Sequence, residues 1–321
     1  MNPAVTVLTL SYNSPDILSA VDSVISQSYD NIQYIIADDC SAEFPEEEIR
    51  QRVKSGGIKE FLLIRNRSNI GASASSNNAL RYATGEYIIN LAGDDVFFDN
   101  RVVEDIAAEF VRTGAQYITG YRAVYDEQME KLICVLPRRR EIKWIRSLPP
   151  EKLFEKLAGS NFIFGCCTAR RADTVREYGF YAEEYRNIDD YPMIMRALRE
   201  GAKISFFDRL IVKYRSGGIS SALNLNGDYT EEADRLFRTE ILPFSRNPLR
   251  AEGKYLRWKR RSERRRIYQL RKLNARGAAL LLLKLAHAVS NPEDFSAALG
   301  NRFSRRMIHD RRLNGYGDKN A

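Results

Sequence analysis

The chain has 321 residues, 44% hydrophobic and 29% charged, with a formal net charge of +8. It can bury a sizeable core, as one large domain with an appendage or as two domains, and it is not a disordered polymer. The charge is uneven, because residues 251–321 hold 18 Lys and Arg against 6 Asp and Glu while residues 1–250 hold 32 against 36, so a mildly acidic body carries a cationic tail.

In chain order, residues 1–13 have no basic region before their apolar run, so no secretory leader is expected. Residues 5–10 read as a buried strand. Ser14 offers an N-cap, with Pro15 at the first helical position and Asp16 in the first turn of a helix to about residue 28. Residues 32–39 read as a second strand and 45–55 as a helix stopped by Gly56-Gly57. Residues 58–65 form a third strand. Residues 71–84 read as a helix of small residues ended by Gly85, and 86–92 as a fourth strand. Strand and helix alternate at short spacing, which predicts an α/β, doubly wound parallel sheet. Ligands of such sheets bind beyond the carboxyl ends of the strands. Thr9, Tyr12 and Asn13, then Asp38 and Asp39, then Asn69 and Gly71, then Asp94 and Asp95 all fall at those ends. Together they suggest a nucleotide crevice.

The crevice can be narrowed. The turn after the first strand, SYNSPD, lacks the glycines of a dinucleotide fold, and no P-loop motif occurs. The chain's two histidines, His287 and His309, both lie near its end, so a body of 250 residues has no imidazole for a Ser-His-Asp or Cys-His site. Cys40, Cys134, Cys166 and Cys167 form no CxxC pair, so reduced thiols are expected, with neither zinc nor a disulfide framework. The adjacent carboxylates Asp94 and Asp95 suit a hard divalent cation, Mn²⁺ or Mg²⁺, that also holds phosphate oxygens; a solvated turn is the plainer reading. Asp189-Asp190 open a helix ahead of Met193, Ile194 and Leu198. The helix dipole would keep them ionised, which suits a base, although N-capping selects the same residues. Lys213, Tyr214 and Arg215 precede Gly217-Gly218 and read as a cationic loop able to close over a diphosphate, or as a strand end with a glycine turn.

In order, VTVLTLSYN, IIADDCS, NIGASASSNNAL, GEYIINLAGDD and NIDDYPMIMRALREGAKI resemble the family 2 glycosyltransferases, inverting enzymes of GT-A fold that use nucleotide sugars. The likeness covers roughly residues 4–220. It implies a Rossmann-like mixed sheet and a catalytic domain over 1–220, followed by a basic, mostly helical region over 221–321. By this resemblance Asp39 accepts from the nucleotide base, Asp94 matches a ribose- or metal-contacting position, Asp95 the metal ligand and Asp190 the catalytic base. Thr9, Tyr12, Asn69 and Gly71 complete the nucleotide set, with Asp189, Lys213 and Arg215 as further candidates. The donor implied first is a UDP-sugar, and the acceptor a glycan or lipid-linked glycan of cell-surface polysaccharide synthesis. Ala92 stands where many members have Asp, and Ser76 where many have Arg; Arg65, Arg67, Lys213 or Arg215 would then meet the phosphates. Those two departures also admit an alternative, a catalytically impaired nucleotide-sugar-binding or scaffold protein.

The tail combines a dense basic segment with a leucine run. Residues 277–289 are broken by Lys284 and fall short of the ~20 residues needed to span a bilayer. The expectation is a cytoplasmic protein held peripherally on the anionic inner face of the cell membrane. Nucleic acid fits the charge but not the leucines, and packing on the body or a partner is the third reading.

Overall fold

The computed structural model describes residues 2–218 and 227–277, with 279, 282–284 and 287 beyond them. Strands β1 (Val5–Ser11), β2 (Ile32–Asp38), β3 (Glu60–Arg65) and β4 (Tyr87–Ala92) pair in parallel in the order β3-β2-β1-β4. Helices α1 (Ile17–Ile25), α2 (Glu46–Ser55) and α3 (Ala72–Leu80) make the crossovers. β1 and β2 read as near-continuous apolar runs because both of their faces are covered. Val5, Val7, Tyr34 and Ile36 face α1, α2 and α4 (Val102–Thr113), while Leu8, Ile35 and Ala37 face α3 and the helices that follow residue 171 in sequence. The register sets Ser11 beside Asp38 and Asp38 beside Arg65, so the parallel strands end level along one edge.

Past β4 the sheet becomes mixed. β8 (Thr168–Arg171) lies antiparallel between β4 and β6 (Tyr117–Tyr125). β9 (Ile204–Arg215) runs parallel to β6, β5 (Val96–Phe97) pairs antiparallel with β9, and β7 (Leu132–Leu136) forms a hairpin with β6. The segment read as a cationic loop is therefore the end of a twelve-residue strand up to Arg215. Residues 219–221, the rest of that segment, lie outside the described residues. Ser14 is not the cap of α1. The helix begins at Ile17 after Asp16, and the Ser14 hydroxyl instead donates to the Gly93 carbonyl at 2.8 Å, tying the end of β1 to the end of β4.

Helices α5 (Arg139–Ser147), α6 (Pro150–Leu157), α7 (Thr174–Tyr178), α8 (Asp190–Arg199) and α9 (Gly227–Leu236) follow, then α10 (Pro248–Asn274). The first half of α10 is docked on the body. Ala251 is buried, Tyr255 stacks on Phe237 at 4.2 Å and donates to Asp234, and Lys259 pairs with the same carboxylate at 2.6 Å. Ala233, Leu236, Phe237, Ile241 and Ala251 join the same buried cluster as Leu8 and Ile35. Among the described residues no helix is long and apolar enough to cross a membrane. Of the leucine run 280–283, residues 280 and 281 lie outside that description.

Candidate active site

The level strand ends gather most of the expected polar groups, and hydrogen bonds show what each is doing. Asp39 is buried and accepts from three donors: Asn66 Nδ2 at 2.9 Å, Ile70 N at 2.9 Å and Gly71 N at 2.8 Å. Its carboxylate thus organises the loop that leads into α3. Gly71 holds φ +90, and a Cβ there would lie 3.0 Å from Arg186 Cβ and 3.2 Å from its Cα. Only glycine satisfies both the backbone and the close approach. Asn69 accepts from the Arg186 guanidinium at 2.7 Å through Oδ1. Tyr12 is exposed at the sheet edge, beside Asn13, whose Oδ1 accepts from Ala42 N. Thr9 is the exception. It points into the core on the α1 face, with its hydroxyl against the Tyr34 hydroxyl at 3.1 Å, so the structure does not bring it to the crevice. The strand alternation that turns Leu10 to the other buried cluster turns Thr9 to the α1 face.

Asp94 and Asp95 stand where β4 gives way to β5. Asp95 is fully buried. Its Oδ1 accepts from Arg215 N at 2.9 Å, while Oδ2 has no hydrogen-bond partner. Burial pushes its carboxyl well above the usual carboxylate range, and Asp94 beside it adds repulsion. Asp94 is raised too, first by burial, against the pull of Arg215. A buried carboxylate oxygen without a donor, next to a second carboxylate, is the environment a cation relieves. Both residues fit as holders of a divalent metal. Among the described residues no cluster of three or more His, Cys, Asp or Glu side chains forms a complete metal cage, so phosphate oxygens or water would supply the remaining ligands.

Arg215 does not swing free. Its Nη2 pairs with Asp16 at 3.0 Å, its Nε donates to the Asp94 carbonyl at 3.1 Å, and Nη1 donates to the Glu127 carbonyl. The side chain is a latch that fixes β9 to the β4–β5 turn rather than part of a mobile phosphate loop. Lys213 lies over the Phe98 ring at 5.4 Å. Arg65 is held by Asp38 and the Ser41 carbonyl. Ser76 is buried with an unpartnered hydroxyl.

Asp189 and Asp190 open α8, and Asp189 makes no side-chain cap hydrogen bond. Asp190 Oδ2 accepts from Gly165 N at 2.6 Å, and a Cβ on Gly165 would sit 2.7 Å from Asp190 Cβ, so glycine is what lets the two segments touch. Burial works against the helix dipole and raises both carboxyls, Asp189 up to about 6 with the neighbouring Asp190 charge adding to the effect.

Two side chains packed at the site have no counterpart in the sequence expectations. Arg122, on β6, is sandwiched by the Phe164 ring at 3.6 Å and the Tyr214 ring at 4.5 Å. Its charge opposes the burial of both Asp95 and Asp190, so it lies electrically between them. A lone Arg inside the apolar strand YITGYRAVY was the available signal. Glu232, buried on α9, accepts from Arg186 N at 3.0 Å and Asn187 N at 2.9 Å. It clamps the loop that carries Asp189 and Asp190 and, through Arg186, the loop held by Asp39. Nothing local in the sequence marks it.

A polar crevice at the carboxyl ends of a Rossmann-like sheet, faced by a carboxylate pair at a helix start, defines a GT-A glycosyltransferase. The family model described as glycosyl transferase family 2 matches residues 6–179, and the chain belongs to that family. TuaG of Bacillus subtilis (strain 168), named for teichuronic acid biosynthesis, is 27% identical over 217 residues, 66% of this chain and 79% of TuaG. The fold is shared with S. aureus TarS in complex with UDP-GlcNAc, at TM-score 0.57 and 17% identity, covering 79% of this chain and 71% of that one. It is also shared with the mannosyltransferase PcManGT from Pyrobaculum calidifontis in complex with GDP-Man and Mn²⁺, at TM-score 0.61 and 16% identity, covering 96% of this chain and 86% of that one.

Proposed function

We propose that the chain is a metal-dependent, inverting glycosyltransferase. It would move a sugar from a nucleotide-sugar donor, first a UDP-sugar, to a glycan or lipid-linked acceptor in cell-surface polysaccharide synthesis. Residues 1–220 would form the catalytic domain and 221–321 an acceptor-side and membrane-side region. The observation that carries this reading is the buried, unpartnered Oδ2 of Asp95 beside Asp94, with Asp190 and Arg122 nearby. Asp94 and Asp95 would hold Mn²⁺ or Mg²⁺, which when bound neutralises the diphosphate leaving group. Asp39, Asn69, Gly71 and Tyr12 would frame the nucleoside. Asp190 would take the proton of the acceptor hydroxyl, most simply at Oδ1, since Oδ2 is engaged by Gly165 N–H. Arg122 would keep Asp190 ionised and steady the developing charge.

Asp95→Asn tests the metal role. The amide oxygen can still accept from Arg215 N, so the fold should survive. Mn²⁺-dependent donor binding, read by calorimetry or thermal shift, should disappear. Wild-type metal dependence in the folded variant rules the assignment out. Donor hydrolysis or transfer by the wild type with Mn²⁺ or Mg²⁺ decides between this reading and the impaired alternative, which would bind nucleotide sugar without hydrolysing or transferring it.

The peripheral membrane contact is proposed for the part of α10 beyond its docked half. Arg260, Arg264 and Arg266 are exposed there. Near an anionic leaflet each basic residue contributes about 1 kcal/mol, falling with salt. Changing all three to Gln should abolish low-salt co-flotation with phosphatidylserine vesicles and leave donor binding alone. Unchanged flotation would refute the membrane role of this segment.

A further inference from the structure

Around Asp190 and Arg122 the protein opens into a cleft of about 630 Å³ that neither Asp39 nor Asp94 lines. That volume lies within the range of ligand sites. It is lined by α5, the α6 end, the segment before β8 and the docked half of α10. Eight of its lining side chains are Lys or Arg and two, Glu141 and Asp190, are acids. Among the described residues Arg140, Lys156, Lys254 and Arg257 have no carboxylate in ion-pair contact. Arg140 and Lys156 rest on the Trp144 ring, at 4.9 and 4.8 Å, from which their charged ends face the cleft region. Lys254 donates to the Glu155 carbonyl, and its ammonium is pushed down by burial and by the crowd of Arg250, Lys156 and Arg257. Gathering like charges around a concave, aromatic-walled space costs stability unless an anion fills it. A neutral sugar acceptor needs the aromatics but not the cations.

We propose that this cleft is an acceptor subsite for a phosphate-type anion, a diphosphate or phosphodiester attached to the sugar that receives the transfer, gripped by Lys156, Arg257 and their neighbours on α5 and α10. The inference rests on the glycosyltransferase reading and deepens it. The donor is held at the strand ends, Asp190 marks the point of transfer, and the basic cleft takes the charged remainder of the acceptor. It also gives the docked half of α10 a role as a wall of the site.

The test uses the full chain. Both of its tryptophans, Trp144 and Trp258, line the cleft, so intrinsic fluorescence reports on it. Three probes are titrated: inorganic diphosphate, decyl diphosphate below its micelle concentration, and decyl glucoside. Saturable changes are expected with both diphosphates and not with the neutral glucoside. Tighter binding of decyl diphosphate than of inorganic diphosphate would assign the source as a lipid-linked acceptor, and equal binding a glycan phosphate. The Lys156→Gln/Arg257→Gln protein should weaken both by roughly tenfold or more, as loss of charge-assisted contacts requires. Lys156→Arg/Arg257→Lys should bind nearly as wild type, which separates a charge role from a folding defect. Saturating UDP should not displace either probe. Equal binding of the glucoside, unaffected binding in the Gln variant, or competitive displacement by UDP would each overturn the proposal. Failure of the glycosyltransferase reading is seen separately, as absence of nucleotide-sugar binding in the wild type.

Discussion

Asp190→Asn binds nucleotide sugar as the wild type does and transfers it ~10²–10⁴-fold more slowly, the usual consequence of removing a general base. The amide can still accept the Gly165 N–H that now meets Oδ2 at 2.6 Å, so the α8 start and the β8 approach stay in register. Only basicity is lost. Asp189→Asn is milder, because Asp189 makes no cap hydrogen bond. The pH profile follows from burial. Both carboxyls lie above their ordinary range, and a base works only when ionised. Turnover should therefore be flat above neutrality and fall as pH drops into the raised range of the Asp190 carboxyl. Arg122→Gln should move that fall to higher pH, since its cation opposes the shift. Near-normal turnover in both Asp variants, or a profile flat to pH 4, would leave Asp190 without a catalytic role.

The first half of the fold was legible because its information is local. Each of β1 to β4 is an apolar run, and each crossover ends in a glycine or a short polar stretch. The strand-end polar groups then follow from one rule about parallel sheets. Thr9 escaped that rule because strand parity, not position, decides which side chains reach the edge. β8 was not legible: four residues, TARR, with two arginines, show no alternation, and only their position between β4 and β6 makes them a strand. The site's cross-links were equally hidden. Arg186 meets Asn69 and Arg215 meets Asp95 across more than 100 residues, at 117 and 120 positions apart. The tail shows the limit of charge counting. Its surplus of basic residues is plain in the sequence, yet Tyr255 and Ala251 fold the first half of α10 onto the body while the exposed arginines lie further along.

The largest expected loss of stability comes from Arg209, also invisible in sequence. It is among the largest fully buried side chains, and on β9 it pairs with Asp105 of α4 at 2.8 Å and with Asp99 at 2.6 Å. Arg209→Leu leaves buried Asp105 with only the longer contact to Arg101 at 3.8 Å. Breaking a buried pair from one side costs about 3–5 kcal/mol, much of the 5–15 kcal/mol that holds an ordinary domain together. Urea unfolding should show that loss in the midpoint. The double change Arg209→Leu/Asp105→Leu should recover most of it, because removing both charges removes the desolvation cost along with the attraction. The functional consequence follows from the strand itself. β9 ends at Arg215, whose N–H donates to Asp95 Oδ1 and whose guanidinium fixes the β4–β5 turn. The single variant should therefore also weaken Mn²⁺-dependent donor binding, and the double variant should restore it in step with stability. A single variant as stable as the wild type would mean that Asp105 is protonated or solvated and that the pair does not anchor the strand.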